Sequence, residues 1–158
     1  MRELILLRHA HAEPGAEGVP DIDRPLSADG LAEAEAAGRW LVEQGLIPDR
    51  ILCSPARRAR ETLDAVLGII GNVEHSLEDA IYEATPGTLA ELADAHRETE
   101  RLLLVGHNPG LERLAALMHS GQTGDYRGMP TSSVVVLKLP VDATIEPGIA
   151  TLTAFWWP

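Results

Sequence analysis

The feature that most constrains this chain is an alternation. Short leucine- or valine-rich runs are separated by longer stretches with helical spacing, the pattern of an α/β sheet covered by helices on both faces. Strands are expected at about Glu3 to Leu7, Ile51 to Cys53, Val73 to Ser76, Leu102 to Val105, Ser133 to Leu139 and Ile149 to Trp156. The last two, joined through Pro140 to Gly148, read as an antiparallel hairpin at one edge of a mostly parallel sheet. A three-layer sandwich follows.

The intervening helices have recognisable starts. Ser27 caps a helix that runs to Gly45, with Leu31, Ala34, Trp40 and Leu41 expected on its inner side. Ser54 followed by Pro55 reads as the start of a second helix through Ile70. Thr88 is expected to cap "LAELADAHRETE", and Pro109 to open "GLERLAALMHS". Gly15 to Asp23 and Gly121 to Met129 read as mobile loops.

With 158 residues, 45% of them hydrophobic, the chain suits a single domain, residues 1–158, with one active site. The 13 Lys and Arg against 24 Asp and Glu give a formal net charge of -11, which repels a nucleic-acid backbone. An anion would have to be caught by a local pocket of cations. The single cysteine, Cys53, can close no internal disulfide. "MRELILL" is too short and too charged for a signal peptide, and no run approaches the ~20 apolar residues of a membrane span. A soluble, cytoplasmic protein without membrane contact is expected.

Chemistry collects where strands end. Leu4 to Leu7 leads into Arg8 and His9; Ile51 to Cys53 leads into Ser54, with Arg57 and Arg58 just beyond; Leu102 to Val105 leads into Gly106 and His107. In open α/β sheets the carboxyl ends of the strands face one crevice, so these residues should converge. Guanidiniums, imidazoles and a helix N-terminus together favour a tetrahedral oxyanion such as phosphate. Neighbouring arginines also disfavour the protonated ring, leaving His9 neutral and a plausible nucleophile at phosphorus.

Other readings of the same residues stand beside this one. His9 and His11, two apart on a strand, could share a metal, but Pro14 and Gly15 end the strand and no compact ligand set stands nearby. Cys53 invites comparison with the C-x5-R loop of cysteine phosphatases, yet "CSPARRA" places Ala59 where the arginine belongs, and Cys53 reads as buried structure. Among Arg57, Arg58 and Arg60 at least one must be ordinary surface. His75, His96 and His119 read as structural or exposed, and the C-terminal "FWWP" has no assigned role.

Taken together, "LLRHAHA", "SPARRARET" and "VGHNPG" resemble the ordered motifs of the histidine phosphatase (phosphoglycerate mutase-like) superfamily, and with "DRPLSADG" they are most similar to its phosphohistidine phosphatase, SixA-type branch. The resemblance implies the phosphoglycerate mutase-like fold and a metal-independent phosphatase without cofactor, acting on phosphorylated protein. It implies that His9 is the nucleophile, that Arg8 and Arg58 bind phosphoryl oxygens, and that His107 completes the pocket. Arg24 and Ser54 would contact substrate, and Glu83 in "IYEATPG" stands where larger relatives carry a general acid. Ala10 replaces the glycine of many relatives. The short interval from Thr62 to Glu83 leaves no room for a helical lid, which suits a bulky phosphohistidine substrate. Small phosphoesters, phosphoserine, or phosphopeptide binding without turnover are the alternatives. The oligomeric state is not readable.

Overall fold

A computed structural model describes residues 2–122 and 128–158. Its elements are β1 (Arg2–Arg8), α1 (Ala28–Glu43), β2 (Arg50–Cys53), α2 (Arg57–Ile70), β3 (Glu74–Leu77), α3 (Pro86–Asp94), β4 (Arg101–Gly106), α4 (Gly110–Ser120), β5 (Val134–Leu139) and β6 (Thr151–Trp156). Short 3-10 turns lie at Asp21–Asp23 and Asp79–Ile81. The strands form one six-stranded sheet in the order β3-β2-β4-β1-β5-β6. The first four strands run parallel, and β5 and β6 add the antiparallel edge hairpin. The expected α/β sandwich, mostly parallel and without a helical lid, is the fold.

Alternation along the central strands builds two cores. Leu4, Leu6, Leu52, Leu102, Leu104, Val135 and Leu137 face α3 and α4, against Leu89, Leu111, Leu114 and Met118. Ile5, Leu7, Ile51, Cys53, Leu103, Val105, Val134 and Val136 face α1 and α2, against Ala37, Leu41, Leu63 and Val66. Strands apolar on both faces are what a sheet covered on both sides requires. No helix among the described residues is long and apolar enough to cross a membrane.

Several local expectations are corrected. Leu31 is 49% exposed rather than on the inner side of α1, where Gly30, Ala34, Ala37, Gly38 and Leu41 are buried. Small residues there let α1 approach its neighbours: a Cβ on Gly30 would collide with the His11 carbonyl oxygen, and one on Gly38 would crowd Ile69. Helix α3 starts a turn early, because Thr85 and not Thr88 accepts the N-cap bond, from the Thr88 N–H at 3.1 Å, with Pro86 in the first turn. It also stops at Asp94, short of the predicted end. β6 begins at Thr151 rather than Ile149 because the N–H groups of Gly148 and Ala150 are spent on the Leu117 and Met118 carbonyls at the end of α4. Trp156 of "FWWP" stacks on Trp40 at 5.7 Å between ring centroids, fastening β6 to α1.

Candidate active site

The register of the parallel strands sets the site. Arg8 pairs with Gly106, and Cys53 pairs with Val105, so the three strands end at one level. Because β4 lies between β1 and β2, His107 emerges between His9 and Ser54. The ladder runs one residue past the strands: the His9 N–H donates to the Gly106 carbonyl and the Ser54 N–H to the Val105 carbonyl, each at 3.0 Å. Thr62 of α2 ties the turn down, accepting from the Ala10 N–H at 3.0 Å and donating to the Arg58 carbonyl at 2.7 Å.

His9 is buried, and its Nδ1 lies 2.8 Å from the Ala10 carbonyl. A carbonyl can only accept, so the neutral ring carries its proton on Nδ1 and presents the Nε2 lone pair. Burial first, and then Arg58, Arg8 and Arg24, together lower the His9 pKa to about 4 against the opposing Ala10 bond. His107 lies 5.1 Å from His9 between ring centroids, and burial together with the cationic surroundings lowers its pKa to about 3. Both rings are neutral at physiological pH.

Ser54 is fully buried, and its Oγ meets His107 Nε2 at 2.7 Å and the Ala56 N–H at 3.2 Å. It neither caps α2, which begins at Arg57 with no side-chain cap, nor lies open to a ligand. Ser54 Oγ, already accepting from Ala56, can either donate to His107 Nε2 or accept from it, so the contact fixes the orientation of the ring. His107 Nδ1 is buried and has no partner among the described residues.

The arginines are held by groups that the sequence did not single out. Arg8 donates to the Met129 carbonyl at 2.8 Å, an oxygen shared with the Asn108 amide at 2.8 Å. Arg58, buried at the start of α2, donates to the Asp21 backbone and carboxylate. Arg24 donates to the Glu13 carbonyl and to Asp21. The loop expected to be mobile between Gly15 and Asp23 is therefore anchored at its far end; of the loop Gly121 to Met129, residues 123–127 lie outside the described residues, and Met129 is fixed. Asp21 and Asn108 carry no local pattern beyond their closeness to Arg24 and His107, and Met129 carries none at all.

Beside these groups opens a cleft of about 370 Å³ lined by residues that include Arg58, Tyr82, Glu83, His107, Asn108 and Arg113. Glu83 is exposed on its rim, with φ 57° in the left-handed region turning the chain there. His11 points away, its Nδ1 bonded to Ser27 Oγ at 2.7 Å, so it shares no ligand with His9. Arg57 and Arg60 bond Glu61 and the Pro55 carbonyl outside the pocket. Burial pushes the Cys53 thiol up to about 12, far from a reactive thiolate. His75 and His96 bond backbone carbonyls, and His119 is exposed.

Comparison with known proteins agrees with this arrangement. The model of the histidine phosphatase superfamily (branch 1) matches residues 4–109. An uncharacterised Mycobacterium tuberculosis protein is 37% identical over 162 residues, covering 96% of this chain and 99% of that one. Phosphohistidine phosphatase SixA of Escherichia coli K12 is 29% identical over 127 residues, covering 77% and 76%. The crystal structure of an Agrobacterium tumefaciens protein, provisionally named as the phosphohistidine phosphatase SixA, superposes with TM-score 0.86 at 32% identity, covering 99% and 98%. With strand-end motifs, sheet order and these relatives in accord, the chain belongs to the histidine phosphatase superfamily, branch 1, and is of the SixA type.

Proposed function

We infer that this chain is a phosphohistidine phosphatase working through a phospho-His9 intermediate. The observation that carries the reading is the state of His9: a buried, neutral ring whose Nδ1 proton is committed to Ala10, with Nε2 left to attack among Arg8, Arg58 and His107. In the first step Nε2 bonds to phosphorus as the substrate P–N bond breaks, and the leaving imidazole takes a proton. We assign that proton to Glu83, which lines the cleft together with Tyr82 and His107. In the second step water adds to phosphorus, the Nε2–P bond breaks and phosphate leaves. Arg8, Arg58 and His107 offset the charge on the transferring group, and Ser54 acts through His107.

The choice of substrate rests on the openness of the site. Between Thr62 and Glu83 the chain holds only the rest of α2, β3 and one 3-10 turn, so that interval supplies no helix to close over the cleft. A phosphorylated side chain on a folded protein can enter such a cleft, while a small sugar phosphate would stay solvated. The partner is thus a phosphohistidine protein, met where that protein resides, and the reading requires neither metal nor cofactor.

Rapid quench after mixing with a phosphohistidine peptide should trap an acid-labile phosphoenzyme in the wild type and none in His9→Ala, with turnover unaffected by EDTA. Full turnover by His9→Ala would sink the mechanism. A kcat/KM that favours small phosphoesters over the peptide would move the substrate class.

A further inference from the structure

Asp21 reaches across the mouth of the pocket from the 3-10 turn between β1 and α1. Arg58 donates to its backbone oxygen at 2.8 Å and to Oδ2 at 3.1 Å. The same Oδ2 accepts from the Tyr82 hydroxyl at 2.6 Å, and Oδ1 accepts from Arg24 at 3.1 Å. Tyr82 in turn sets its ring edge-on to His107, 5.6 Å between centroids at 87°. The segment before α1, the first turn of α2 and the segment before α3 all meet at one carboxylate.

The pairing is asymmetric in burial: the Asp21 side chain is 53% exposed, while that of Arg58 is 8% exposed. An exposed ion pair adds little stability by itself. Its effect here is directional. A guanidinium is a rigid planar fork, and two bonds to one residue fix both its place and the direction in which its remaining N–H groups point. A carboxylate that also orders Tyr82 governs a second wall of the same site. Tyr82, Arg24 and Arg58 hold the Asp21 carboxyl well below the usual carboxylate range, so it stays ionised and is no proton donor.

We propose that Asp21 is the positioning residue of the phosphoryl pocket: it sets the plane of Arg58 directly and, through the Tyr82 hydroxyl, the ring that borders His107. The role rests on the phosphoryl-transfer reading of the pocket but not on which phosphorylated substrate enters it. Orthovanadate, a phosphate-like anion, probes the pocket without turnover.

By calorimetry, Asp21→Asn should bind orthovanadate about tenfold more weakly than wild type, the loss expected when a hydrogen bond to a charged group is weakened. Its melting temperature should barely move, since the side chain is half exposed. Tyr82→Phe keeps the ring but not the hydroxyl, and should lower kcat on a phosphohistidine peptide more than it raises KM. In an Arg58→Ala background the further change Asp21→Asn should cost much less affinity than it does alone, because the direct part of its effect passes through the missing guanidinium and only the Tyr82 route remains. Affinity within about twofold of wild type in folded Asp21→Asn, or losses that add in full in the double variant, would overturn the proposal. If wild type fails to turn over the peptide while vanadate affinity still depends on Asp21, the substrate reading falls and the positioning role stands.

Discussion

At the scale of single residues the site is a pair of rings held by hydrogen bonds. His9 gives its Nδ1 proton to Ala10, and Ser54 Oγ holds His107 by its Nε2. Ser54→Ala removes the group that orients His107 and should lower kcat about tenfold while costing roughly 1 to 3 kcal/mol of stability, as loss of a buried hydrogen-bond partner does. Steady-state kinetics and urea unfolding would show both; unchanged kcat would contradict the assignment. The same burial makes stability depend on pH. His9 and His107 keep folded pKa values of about 4 and about 3 against an ordinary value of 6.5. Between about pH 4 and 6.5 the unfolded chain therefore binds protons that the folded chain does not, and stability rises with pH across that window. On acidification from 6.5 each histidine should remove up to roughly 1.4 kcal/mol per pH unit. His9→Gln should flatten the slope, and equal slopes in the two proteins would refute the burial of His9 as its cause. Activity should likewise stay level down to mildly acidic pH, because His9 remains neutral there.

At the scale of elements, what matters is how closely helix starts approach the strand-end turns. A Cβ on Gly110, at the start of α4, would stand 2.5 Å from the Ala84 carbonyl oxygen, and one on Gly106 would stand 2.9 Å from Ile81 Cγ2. Backbone cannot yield as a flexible side chain can. Gly110→Ala should push α4 away from the segment that carries Tyr82 and Glu83, costing about 1 to 3 kcal/mol and lowering kcat/KM as the cleft widens. Thermal unfolding with wild-type stability would show that the two segments are not in contact in solution. Helix starts are ambiguous in the local sequence for a related reason. Thr85 and Thr88 are both acceptable caps, and Pro86, allowed in a first turn, favours the earlier one. Ser54 reads locally as a cap for α2, but His107 on another strand engages its hydroxyl.

For the whole molecule, a chain of formal charge -11 gathers Arg8, Arg24 and Arg58 near His9, which the proposed function reads as an anion pocket. Long-range repulsion and short-range capture then act on the same substrate in opposite senses. Raising salt shortens the Debye length from about 30 Å at 0.01 M to about 8 Å at physiological strength, which relieves the repulsion of an acidic phosphoprotein during approach. Its kcat/KM should rise over that interval, whereas that of a basic phosphohistidine peptide should fall. Parallel trends for the two substrates would show that net charge does not govern encounter.

Much of this protein was readable along the chain because the governing interactions are local. Apolar runs of strand length between helical periods dictate a sheet covered on both faces; Arg8 ends β1, and His9 and His107 follow β1 and β4 directly, so parallel strands bring them together. The ordered motifs place the chain in its superfamily for the same reason. What required the tertiary structure are the pairings between distant segments. Only the sheet order puts β4 between β1 and β2 and so sets His107 against Ser54. Only packing exposes Leu31 and turns small residues of α1 inward. Asp21 and Tyr82 are 61 positions apart, and Met129 reaches Arg8 from 121 positions away. No periodicity or short motif encodes such partners, because their bonds exist only once the fold has closed the distance.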